Sequence, residues 1–108
     1  MGDAEPRYRV AIAVGDVAPG QARRCVVDGQ ALLVCNVGGD FYALAETCTH
    51  DRGPLGEGRL RGHLIECPRH GSRFDIRDGD AKTPPAMQPI ATYPVRVRDG
   101  AVEVQFPE

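Results

Sequence analysis

The chain has 108 residues, 42% of them hydrophobic and 26% charged, which suits one domain over 1–108 and leaves no room for separate substrate and cofactor domains. Thirteen basic against fifteen acidic residues give a formal charge of −2, and without a basic excess or stripe no nucleic-acid partner is expected. No apolar stretch approaches the roughly 18 residues of a membrane span, and Met1-Gly2-Asp3-Ala4-Glu5-Pro6-Arg7 lacks the basic and apolar regions of a signal peptide.

Glycine and proline, 13 and 9 residues, are spread along the chain and favour many short strands over long helices. Tyr8 to Val14 reads as a first strand, followed by a turn at Asp16 to Gly20. Arg23 to Val27 and Ala31 to Val37 form a hairpin through Asp28-Gly29, a pair suited to a turn with positive φ. Gly38-Gly39-Asp40 turns the chain into a strand from Phe41 to Ala45. Glu46 to Gly58 has no periodicity and reads as a loop; Leu60 to Cys67 reads as one short strand, with Ser72 to Ile76 as its partner across a turn at Pro68 to Gly71. After a turn at Asp78-Gly79 comes an irregular segment, Lys82 to Pro89, with three of the nine prolines. The last hairpin runs Ala91 to Arg98, Asp99-Gly100, Ala101 to Phe106. Helical patterns of 10 or more residues find no match. The expected fold is all-β, a small antiparallel sandwich or barrel.

Cytoplasmic thiols stay reduced, so in that setting four cysteines point to metal before disulfides. Cys48-Thr49-His50 lies in the first loop and Cys67-Pro68-Arg69-His70-Gly71 at a hairpin tip. Two thiols and two imidazoles in two short loops fit either a tetrahedral zinc ion or an iron–sulfur cluster. Structural zinc sites draw paired ligands with two to four residues between them. Here one pair has a single intervening residue, and each pair mixes Cys with His. In a cluster of two irons each loop can send its Cys to one metal and its His to the other, so the spacing favours a binuclear site.

These two boxes resemble the Rieske [2Fe–2S] motif. The wider text, Cys48-Thr-His50-Asp-Arg-Gly-Pro-Leu and Ile65-Glu-Cys67-Pro-Arg-His70-Gly-Ser-Arg-Phe-Asp, is similar to the Rieske ferredoxins of bacterial ring-hydroxylating dioxygenase systems. The resemblance implies an antiparallel β fold with a small cluster-binding subdomain, about 46–75. It implies one [2Fe–2S] cluster, with Cys48 and Cys67 as thiolate ligands of one iron and His50 and His70 as imidazole ligands of the other. Two ferric ions, two sulfides and two thiolates sum to zero charge, and reduction takes the site to −1. An all-cysteine cluster would go from −2 to −3, a harder step, so the imidazoles raise the potential into a range of roughly −150 to +300 mV.

High-potential Rieske proteins carry a further cysteine in each ligand loop, joined as a disulfide; the matching places here are Gly53 (or a neighbour) and Arg69. They also carry a Tyr two residues after the Ser of the second box, where this chain has Phe74, which cannot donate a hydrogen bond to cluster sulfur. Ser72 can still donate one. Fewer donors put the potential toward the low end of the range. The implied role is a soluble, monomeric one-electron carrier between a flavin-dependent reductase and a terminal non-haem iron oxygenase, docking transiently near His50 and His70. Rivals are a Rieske subunit of nitrite reductase, a ferredoxin serving iron–sulfur assembly, and a structural zinc module.

The remaining candidates read as structural. Pairing through Asp28-Gly29 sets Cys25 opposite Leu32 and on the other face from Cys35, which disfavours a disulfide and leaves both as small buried hydrophobes. His63 reads as a surface or half-buried strand residue. Arg52, Arg59, Arg61, Arg69 and Arg73 are balanced by Glu46, Asp51, Glu57, Glu66 and Asp75 and read as a solvated mixed surface, with a docking role by steering as the alternative. The Pro84-Pro85 segment resembles the one that packs over the cluster in the family.

Overall fold

The computed structural model describes residues 7–47, 55, 59–68, 71–83 and 88–105. Among the described residues ten strands form three antiparallel sheets. The first sheet joins β1 (Tyr8–Ala13), β10 (Ala101–Gln105) and β9 (Val95–Arg98), with β10 central. The second has the order β2 (Ala22–Val27), β3 (Gln30–Val37), β4 (Asp40–Ala45), β8 (Thr92–Tyr93). The third is a small meander of β5 (Arg59–Arg61), β6 (Leu64–Glu66) and β7 (Arg73–Asp75). Among the described residues the only helix is a three-residue 3-10 turn, Val14–Asp16, and no helix is long and apolar enough to cross a membrane.

The second sheet is the middle layer. In β3, Leu32, Leu33, Val34, Cys35 and Asn36 are all buried, so the strand shows no alternation of apolar and polar residues, as expected when both faces are covered. Leu33 and Cys35 join Leu44, Leu55, Ile65, Cys67, Phe74, Ile76 and Ile90 in the core shared with the small sheet. On the other face Leu32 packs with Val104, and Val34 with Val102, on the inward side of β10. The buried polar residue of β3 is satisfied: Asn36 Nδ2 donates to the Val17 carbonyl at 2.7 Å, and its Oδ1 accepts from the Gly39 amide at 2.8 Å.

The glycine turns fall where expected. Asp28 and Gly29 both have positive φ, 51° and 80°, as do Asp99 and Gly100, 53° and 76°, a backbone that matches the right-handed twist of hairpin strands. Three expectations are corrected. The first strand ends at Ala13, because Val14 starts the 3-10 turn. Leu60 to Cys67 is not one strand: Gly62, with φ 57°, and His63 turn the chain between β5 and β6, so that Arg61 pairs with Leu64. Nor is Ala91 to Arg98 one strand. Pro94 has no amide hydrogen to give to a ladder, and the chain there leaves β8, paired with β4, to enter β9, paired with β10.

Candidate metal centre

The β6–β7 hairpin places Cys67. The Cys67 amide donates to the Ser72 carbonyl at 2.7 Å, and the Gly71 amide donates back to the Cys67 carbonyl at 3.0 Å. Gly71 has φ +75°, a conformation that side chains rarely adopt, and a Cβ there would stand 3.4 Å from Glu66 Oε2. Beneath the loop, Ile65 and Phe74 pair across the strands and face the core. Cys67 is 1% exposed and Ser72 fully buried. The thiol of Cys67 is in no disulfide.

The first loop is anchored to the same core. Its Leu55 amide donates to the Glu46 carbonyl, just beyond β4, at 2.8 Å, and its side chain is fully buried in the cluster that contains Cys67. The stretch carrying Cys48 and His50 therefore begins and ends on the wall against which the second box is built. Cys48, His50 and His70 themselves lie outside the described residues, as do Gly53, Arg69 and Pro84-Pro85; of the four expected ligands the structure describes Cys67. Among the described residues no three His, Cys, Asp or Glu side chains come together as a metal site. A buried, unbridged thiol on a clamped hairpin loop, with one further thiol and two imidazoles in the adjoining loop sequences, fits the donor set of a Rieske cluster.

The other thiols have different surroundings. Cys25 pairs with Leu32 and Cys35 with Ala22; the two side chains pack into different cores and form no disulfide. Burial pushes the Cys35 thiol up to about 12, so it remains protonated. Cys25 is only half-buried, not enclosed as expected, and its thiol is raised by burial against a smaller opposing pull from Arg24.

His63 sits in the β5–β6 turn and not in a strand. Its ring stands edge-on to Tyr42, with centroids 5.6 Å apart at 89°, and its carbonyl accepts the Ile76 amide at 2.8 Å. The contact ties the small sheet to β4. Sequence pattern gave no sign of this pair.

The balanced, solvated surface also needs correction. Glu46 and Asp75 are each only 5% exposed. Glu46 continues the inward alternation of Tyr42 and Leu44, a signal that was present in the sequence. Its Oε2 lies 3.6 Å from Arg24 Nε, while the buried Oε1 has no hydrogen-bond partner among the described residues. Asp75 accepts from Arg77 Nη2 at 2.7 Å and from Arg77 Nε at 3.0 Å. These side-chain hydrogen bonds hold its carboxyl down at about 2, against the opposing pull of burial.

The sequence profile of the Rieske [2Fe–2S] domain matches residues 7–94. The ferredoxin component of biphenyl 2,3-dioxygenase from Rhodococcus jostii (strain RHA1) is 41% identical over 92 residues, covering 85% of this chain and 86% of the relative. Among solved structures, the ferredoxin of Sphingomonas yanoikuyae B1 superposes with a TM-score of 0.88 at 37% identity, over 94% of this chain and 100% of the other. A chain in the complex of reduced oxygenase and oxidized ferredoxin of carbazole 1,9a-dioxygenase gives 0.84 at 38% identity, over 94% of each. The chain belongs to the Rieske [2Fe–2S] domain family. Its cofactor is one Rieske-type [2Fe–2S] cluster, and it is an electron-carrying ferredoxin whose relatives serve as components of dioxygenase systems.

Proposed function

We propose that this chain shuttles single electrons from a flavin-dependent reductase to a terminal non-haem iron oxygenase that hydroxylates aromatic rings. The observation that supports the site is the joint burial of Leu55 and Cys67, one residue from each ligand-bearing sequence, in one apolar core. Cys48 and Cys67 would hold one iron as thiolates, and His50 and His70 would hold the other as neutral imidazoles. With this ligand set the cluster supplies one electron at a time at a potential of roughly −150 to +300 mV.

What the protein's own residues contribute is placement and polarity. The two backbone hydrogen bonds at Cys67 fix its loop, and Phe74, fully buried beneath, offers no hydroxyl. Fewer donors near the thiolates leave the reduced site less stabilised, which favours the low end of that range. Two imidazoles in place of thiolates also leave ring nitrogens whose protons couple to reduction where they titrate.

The whole chain, 1–108, acts as one domain with residues of about 46–75 as its cluster-binding subdomain. It works in the cytoplasm as a monomer and meets its partners briefly near His50 and His70. The test is low-temperature electron paramagnetic resonance before and after dithionite. A signal that appears on reduction, with average g below 2, is expected. A colourless protein carrying stoichiometric zinc after anaerobic purification would overturn the reading.

A further inference from the structure

The small sheet has two unlike faces. Leu60, Ile65 and Phe74 form one cross-strand row, turned into the core. On the outward face Arg59 pairs with Glu66, and Glu66 with Arg73, while Arg61 lies two residues along from Arg59. All three arginines are exposed. None of them forms an ion pair among the described residues. Together with Glu66, Cys67, Pro68 and Gly71 they line an open cleft of about 470 Å³.

The charge of this face does not follow the charge of the chain. Glu46 is matched by Arg24, and Asp75, in register with Arg61 through Leu64, is buried and bound to Arg77, so each carboxylate is neutralised by an arginine other than these three. What remains on the cleft is three guanidinium groups to one carboxylate, on a chain whose formal charge is −2. Asp51, Arg52, Glu57 and Arg69, the other charged residues of the two loop sequences, cancel in formal charge. A cationic face on an anionic molecule, lying against Cys67, orients an approaching anionic surface toward the site of electron exchange. Such steering accelerates encounter by roughly 10- to 1000-fold and fades with salt.

We propose that the outward face of β5–β7, through Arg59, Arg61 and Arg73, is the docking surface for a carboxylate-rich patch on the protein that exchanges electrons with this chain. The inference rests on the electron-carrier reading above. A carboxylate side chain from the partner enters the cleft between the guanidinium groups, and the contact is short-lived because it is exposed and screened.

Ferricyanide serves as the anionic probe. The dithionite-reduced holoprotein, freed of excess reductant, passes one electron to ferricyanide, giving ferrocyanide, with the rate followed by stopped flow at increasing salt. A cationic exit predicts that the rate falls as salt rises, although the net charge alone predicts a rise. A decaglutamate peptide, standing for the acidic patch, is expected to slow the reaction. Arg59→Gln/Arg61→Gln/Arg73→Gln should lower the low-salt rate by about tenfold and abolish the peptide effect, with the reduced paramagnetic signal intact. Arg59→Gln/Arg61→Gln, sparing β7, should give a smaller change in the same direction. A rate that rises with salt, or signal-bearing variants indistinguishable from the parent, would overturn the docking surface alone. A parent protein with no reduction-dependent signal would instead sink the carrier reading, and the docking surface with it.

Discussion

Gly79 and Ile90 meet backbone to backbone. The Ile90 amide donates to the Gly79 carbonyl at 2.7 Å, and a Cβ on Gly79 would stand 1.9 Å from the Ile90 carbonyl oxygen. This contact pins the chain that follows the proline-rich segment onto the turn after β7. Gly79 also has φ +81°, so an alanine there meets both a strained conformation and a backbone atom that cannot swing away. Gly79→Ala is expected to cost roughly 2–4 kcal/mol, read as a lower urea midpoint at unchanged slope.

Ligand identity is separable from fold by single substitutions. Cys67→Ser, Cys48→Ser, His50→Ala and His70→Ala should each abolish the reduction-dependent signal and lower bound iron. Cys25→Ser and His63→Ala should keep both. His63→Ala removes the edge-on contact with Tyr42 and should cost about 1 kcal/mol in stability. A His63 variant without iron would contradict the assignment.

Asp75 gives the acid response a defined source. Its folded carboxyl titrates at about 2, below the ordinary 3.8, because Arg77 hydrogen-bonds to the charged form. The stabilisation is therefore complete above pH 4 and is lost as the pH falls from about 3.8 toward 2. With Arg77 exposed to solvent, its size is about 1–2 kcal/mol. Asp75→Asn should be less stable than the parent by that amount at pH 7, and the gap should close below pH 3. Denaturant unfolding of the two proteins across this range is the measurement.

Phe74→Tyr tests the argument about potential. A hydroxyl that finds the reduced site as acceptor contributes about 0.5–1.5 kcal/mol, equivalent to a rise of roughly 20–60 mV for one electron. Protein-film voltammetry should show that rise. An unchanged or lower midpoint, with iron content intact, would remove Phe74 as a determinant.

Much of the fold was legible because turns were written in residue types. Asp28-Gly29, Gly38-Gly39 and Asp99-Gly100 each combine residues that tolerate positive φ, and all six residues adopt it. The Gly62–His63 turn was missed because a single glycine between Arg61 and His63 looks like a strand interruption, and strands of three residues are too short to show a period. The parting of β8 from β9 depends on which sheet each segment meets, a long-range choice that local pattern does not encode. At the site, the spacing of cysteines and histidines was plain, since metal ligation demands residue types directly. The sinking of Glu46 could be read from its place two residues beyond Leu44 in the inward alternation of β4; that of Asp75 was not legible, because charge in a sequence says nothing of which side of a sheet will be covered.

The clamp on Cys67 has a consequence for speed. An electron moves between two sites only as fast as their surroundings adjust to the new charge. A ligand loop held by hydrogen bonds to Ser72 and from Gly71, with its sulfur-bearing residue buried in the core, has little backbone free to shift. Such a socket keeps the reorganisation energy of each transfer small, so that a brief encounter suffices for exchange.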